Sequence, residues 1–76
     1  MAKQAVVEAK IKVIFKDQFD EPIRDWNTKW SDYNFSSIQL VYFLKDLERE
    51  FGPIPIAEFY NLESGTDLVQ YILKRT

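Results

Sequence analysis

The chain has 76 residues, 46% of them hydrophobic and 16% aromatic, which excludes a disordered segment and suits one packed domain over 1–76. It contains no cysteine and no histidine, so disulfides, thiolate nucleophiles, the commonest general base and the commonest nitrogen ligand for metals are all missing. The net charge of −2 is uneven, with six basic and six acidic side chains in residues 1–36 against four and six in residues 37–76. A mildly acidic C-terminal half with no basic stripe excludes nucleic acid as a partner.

In chain order, Val7, Ile11 and Ile14 recur at i, i+4 and i+7, with Phe15 at the edge of the stripe and Lys10, Lys12 and Lys16 off it. This pattern predicts an amphipathic helix from about Gln4 to Gln18, ended by Pro22. Residues 19–35 show no period. They read as a long loop with room for one helical turn, tied down by its aromatics, Trp26 and Trp30 above all. Ser36 and Gln39 then fit the S-x-x-Q capping box, and Gly52-Pro53 is a strong stop, so a second helix runs from Ser37 past Arg49. Pro55 opens a short third helix that includes Phe59 and Tyr60. Ser64-Gly65-Thr66-Asp67 starts a fourth, with Leu68, Val69, Ile72 and Leu73 as its apolar side and Lys74 and Arg75 at its negative end. With no strand pair in sight the fold class is all-α, a small bundle of three main helices and one short one with a long first loop. No apolar run approaches the ~20 residues that span a bilayer. Met1-Ala2-Lys3-Gln4 lacks the apolar core of a secretory signal, so a cytoplasmic protein with no membrane partner is expected.

The second helix has two apolar faces. Leu40, Phe43, Leu44, Leu47 and Phe51 fall within about 60° of one direction and form a complete core stripe. Ile38, Val41 and Tyr42 point the other way, beside Lys45, Glu48 and Arg49. Either the long loop folds over these three, or they form a docking patch with an apolar centre and a charged rim. At the head of the helix, Ser36 is the natural N-cap. Ser37, at the first helical position, projects to solvent among unpaired amides where a phosphate is electrostatically welcome. A catalytic role has little to draw on: Asp46 and Glu50 are an i, i+4 carboxylate pair, but a solvated helix flank explains them better. No catalytic residue and no metal ligand is expected.

With these residues in view, Tyr33-Asn34-Phe35-Ser36-Ser37-Ile38 resembles the attachment motif of acyl carrier proteins and of polyketide-synthase thiolation domains, which often reads Tyr-Gly-Phe-Asp-Ser-Ile. Leu40-Val41, Phe43-Leu44, Leu47-Glu48 and Glu50-Phe51-Gly52 match that family's second helix in spacing and place Ser37 at the attachment serine. Ser36 stands where the motif has aspartate, and Asn34 where it has glycine. The resemblance implies 4′-phosphopantetheine, taken from coenzyme A and esterified to Ser37, whose thiol tethers acyl intermediates as thioesters for polyketide- or fatty-acid-type biosynthesis. It implies as partners a phosphopantetheinyl transferase and acyl-loading or acyl-processing enzymes such as a ligase, acyltransferase or ketosynthase, met by a monomeric, non-catalytic carrier. Ile38, Val41 and Tyr42 would then be the docking patch, with Lys45, Glu48 and Arg49 as its steering rim. Lys45 and Arg49 dilute the usual acidity of that helix and favour partners with mixed or acidic surfaces. The rival reading is the same bundle, never modified, retained for protein docking alone.

Overall fold

A computed structural model describes residues 2–75. Four α-helices follow one another: α1 (Ala2–Phe19), α2 (Ser37–Phe51), α3 (Ile56–Asn61) and α4 (Gly65–Arg75), with a 3-10 turn at Trp30–Asp32 inside the long first loop. Among the described residues there is no β-strand, only an isolated antiparallel bridge between Lys29 and Ser64. None of the described helices is long and apolar enough to cross a membrane. The class is therefore all-α, as the periodicity predicts.

The stripe that α1 buries differs from the expected one. Val7, Ile11, Phe15 and Phe19 are inside, spaced by four throughout, whereas Ile14 is only half-buried. A row at i, i+4, i+8 is the ridge a helix presents when neighbours cross it obliquely, and α1 packs on both α2 and α4. Nor does Pro22 end the helix. It stops at Phe19, where Asp20 turns left-handed (φ 57°) and donates its N–H to the Lys16 carbonyl at 2.8 Å. Phe19, expected in the loop, is thus the last core residue of α1.

On α2 the expected stripe is buried at Phe43, Leu44 and Leu47 and half-buried at its two ends, Leu40 and Phe51. Gly52 closes the helix at φ 94°, a conformation that suits glycine, and donates to the Glu48 carbonyl at 2.9 Å. Pro55 caps α3 from outside rather than standing at its first position, its carbonyl accepting from Phe59 N at 3.0 Å. Tyr71 Oη on α4 donates to Glu58 on α3 at 2.7 Å, which pushes the Tyr71 phenol above its usual range because the neighbouring carboxylate favours the neutral, donating form.

The long loop is pinned at both Trp residues. Trp30 is buried, and its backbone N–H donates to the Glu63 carbonyl at 2.8 Å. The Trp26 carbonyl accepts from Thr66 N at 2.8 Å, and its indole lies against the head of α4. A bare Cα at Gly65 makes room for it, since a Cβ would stand 2.6 Å from Trp26 Cε3 and the indole would have to shift. The N-terminus of α4 is closed by Ser64, whose Oγ accepts from Asp67 N at 3.4 Å, and by Asp67, which accepts from Glu63 N at 3.0 Å.

Candidate functional site

The head of α2 is held from two sides. On the core side, Phe15 gathers Phe19, Trp30, Tyr33, Phe35 and Phe43, with ring centroids 4.7 to 6.1 Å away. Phe35 is sandwiched between Phe19 (3.8 Å, 14°) and Tyr33 (4.9 Å, 11°). The backbone that enters α2 is thereby clamped one residue before Ser36. Tyr33 is itself buried, accepts from Arg24 N through its hydroxyl at 3.0 Å, and carries the Arg24 guanidinium 4.7 Å from its ring. These positioning roles were not legible in an aperiodic segment. The one available signal was that Tyr33 and Phe35 share a face if the approach to the helix is extended.

On the polar side the capping box is closed in both directions. Ser36 has extended backbone (φ −83°, ψ 160°), its Oγ accepts from Gln39 N at 3.3 Å, and Gln39 Oε1 accepts from Ser36 N at 3.0 Å. The Ser36 hydroxyl also donates to Gln39 Oε1 at 3.3 Å. Ser36 is fully committed. Ser37 is exposed, and its hydroxyl has no hydrogen-bond partner among the described residues. The N–H groups of Ser37 and Ile38 belong to the first turn, which has no intrahelical acceptor for them, and the positive end of the helix dipole lies there. An alkyl phosphate on Ser37 Oγ therefore finds open space, free amides and favourable charge. The residues fit such a group.

Beyond the serines, Ile38 is 59% and Tyr42 48% exposed, while Val41 is half-buried. The long loop leaves the first two uncovered. Lys45 and Arg49 are exposed, Arg49 pairing with Asp46 at 3.2 Å. Glu48 also fixes the turn between α2 and α3, where its Oε2 accepts from Ile54 N at 3.0 Å. Ile56 (49% exposed) and Tyr60 (54%), one turn apart on α3, are two further exposed apolar residues and were not singled out from sequence. Their i, i+4 spacing was a usable signal. The carboxylates of Asp46 and Glu50 are each engaged by a cation, Asp46 by Arg49 at 3.2 Å and Glu50 by Lys10 of α1 at 3.1 Å.

A cavity of about 300 Å³ opens between the loop, α2 and α3, lined by Trp30, Leu40, Phe59, Tyr60 and Leu62 among others. Leu40 lies three residues after Ser37, on the same side of α2. The Trp30 indole N–H is buried with no acceptor among the described residues.

Residues 9–72 match the sequence profile of the family described as the phosphopantetheine attachment site, well over half of the chain. No curated protein and no solved structure gives a significant match. Carrier domains of this family are generally non-catalytic, bear 4′-phosphopantetheine as a covalent cofactor, and work with a phosphopantetheinyl transferase and biosynthetic enzymes. With a matching profile laid over an all-α bundle, the chain belongs to the phosphopantetheine-attachment family of carrier domains.

Proposed function

We propose that Ser37 is the attachment point and that the chain is a non-catalytic acyl carrier serving polyketide- or fatty-acid-type biosynthesis. The observation that carries this reading is the exposed, unengaged Ser37 hydroxyl, one residue after a closed capping box and inside the matched span. When attached, the arm supplies a thiol that holds an acyl group as a thioester. The chain's own residues supply address and reach. Ser36 and Gln39 keep the first turn rigid, Phe35 and Tyr33 fix its entry, and the Ser37 and Ile38 amides meet the phosphate. A tethered thioester is presented at high effective concentration to whichever enzyme has docked.

Ile38, Val41 and Tyr42 form the apolar centre of docking in this reading, and Lys45 and Arg49 steer the approach. Glu48 belongs to that rim in sequence, but its carboxylate is occupied in holding Ile54. The partners are a transferase and enzymes of the ligase, acyltransferase or ketosynthase type, with mixed or acidic docking surfaces, met by a cytoplasmic monomer. The cavity at Leu40 and Tyr60 offers an apolar refuge for part of a carried chain. Ser36, standing where the family motif has an acidic residue, favours the rival docking-only role.

Incubation with an acyl-coenzyme A and a broad-specificity transferase separates the two. A carrier gains an acyl group that hydroxylamine releases, as a thioester requires, and Ser37→Ala gains none. Folded wild-type protein that never acquires a hydroxylamine-labile acyl group is the docking-only outcome.

A further inference from the structure

α1 is apolar on both sides. Its core stripe is complete, yet Val6 (50% exposed) and Val13 (66%) stand on the opposite face with Ala9 between them and Ala5 beside them, all exposed. At 100° per residue, Val6, Ala9 and Val13 lie within about 60° of one another, almost opposite Ile11. Lysines flank them on both sides, Lys12 and Lys16 on one and Lys3 and Lys10 on the other; Asp17 stands among them, and Glu8 lies one turn before Lys12 toward the core side. Lys10 is held by Glu50 at 3.1 Å, and Lys16 lies 3.5 Å from the exposed Asp20 carboxylate. Lys12 has no carboxylate partner among the described residues; its Nζ rests 6.0 Å from the Trp26 ring. This basic face sits in a chain whose net charge is −2, so the concentration of lysine here is a local property.

The stripe does not end flat. Where α1 runs toward the loop, Pro22 and Ile23 rise beside Val13 and close a groove of about 490 Å³, completed by Lys12, Lys16 and Asp17. From Val6 to Lys16 the face is about 15 Å long, or roughly three helical turns.

We infer that the outer face of α1 is a second docking surface, and that its occupant is an acidic amphipathic helix of a partner protein. Charge complementarity selects the occupant. A helix with Asp or Glu beside an apolar seam meets Lys12 and Lys16 on one flank and Lys3 on the other, while Ala5 and Ala9 let the backbones approach closely. A large apolar side chain of the partner enters the groove at Val13, Pro22 and Ile23. A second copy of this chain is a poor occupant, because pairing α1 with α1 sets lysine against lysine. An anionic membrane is equally poor: beside Ala and Val the surface adds only Pro22 and Ile23, without the Trp, Phe or Leu that bury in a headgroup layer. The surface shares no residue with the patch on α2, so a carrier can be held by α1 while Ser37 is presented elsewhere.

A phage-displayed library of helical peptides, panned on the immobilised 76-residue chain and counter-selected on Val13→Glu, tests this. Enriched peptides carry Asp or Glu beside an apolar seam. They bind Val13→Glu and the Lys12→Glu/Lys16→Glu double variant at least about ten-fold more weakly, and lose affinity as salt is raised. All three altered positions are exposed, and thermal melting confirms that the variants fold. Ser37→Ala binds the same peptides unchanged, so the result stands whether or not Ser37 carries an arm. Basic-flanked peptides, or a library from which Val13→Glu removes nothing, overturn the inference. So does flotation with phosphatidylserine vesicles, or a sedimenting dimer, that Val13→Glu abolishes.

Discussion

Two adjacent serines divide the work at the head of α2. Ser36 is bound into a reciprocal capping box, so Ser36→Ala is expected to cost about 1 kcal/mol in urea denaturation. Ser37 caps nothing and is exposed, so Ser37→Ala is expected to stay within about 0.5 kcal/mol of wild type. Equal losses in the two variants would mean that Ser37 has a structural role. This division was readable in advance, because a capping box is a local spacing and local spacings survive folding. Gly65 is the opposite case. Its need for a bare Cα comes from Trp26, far upstream, whose Cε3 would lie 2.6 Å from an added Cβ. Gly65→Ala is accordingly expected to cost about 1–3 kcal/mol through overpacking, read from the same denaturation curves. Unchanged stability would show that the indole can move aside freely.

Each helix was legible to the extent that its period and caps were its own. α2 carries its stripe, box and glycine stop within seventeen residues of sequence, and its bounds followed from them. α1 was harder, because Ile14 and Phe15 are adjacent and either can complete a stripe beginning at Val7 and Ile11. The choice is made by Phe35, Trp30 and Phe43, which surround Phe15 and lie outside the helix. The loop was opaque for the same reason. Its order comes from rings stacked across elements and from two backbone hydrogen bonds to the α3–α4 junction. The two C-terminal helices are tied by a pH-sensitive contact. Tyr71 donates to Glu58 and its phenol is raised above the ordinary value of 10.0, so the neutral ring is favoured in the folded state. That contribution is whole below the unfolded value and is lost as pH climbs through the raised one. The difference in Tm between wild type and Tyr71→Phe should therefore hold steady from neutral pH to about 10 and shrink above it. A difference that ignores pH would place the Tyr71 contribution in packing alone.

At the scale of the whole molecule, the bundle keeps its packed core apart from the residues proposed for attachment and docking. The aromatic hub and the α1–α2–α4 contacts fill the inside, while Ser37, Ile38 and Tyr42 remain on the outside at one end. Sequence showed that the second face of α2 existed; the structure shows that the loop does not cover Ile38 or Tyr42. Val41→Asp is expected to leave the melting temperature near that of wild type and to lower the transferase's kcat/KM by about ten-fold or more, the effect of a charge placed in an apolar contact. A matching loss of folding would mean that Val41 belongs to the core. The central claim, that this chain is loaded at Ser37, is tested most directly by intact mass after incubation with coenzyme A and a broad-specificity phosphopantetheinyl transferase. Wild type and Ser36→Ala should each gain one phosphopantetheine, and Ser37→Ala should gain none. A folded wild type that gains nothing, or a Ser37→Ala protein that is still loaded, would contradict it.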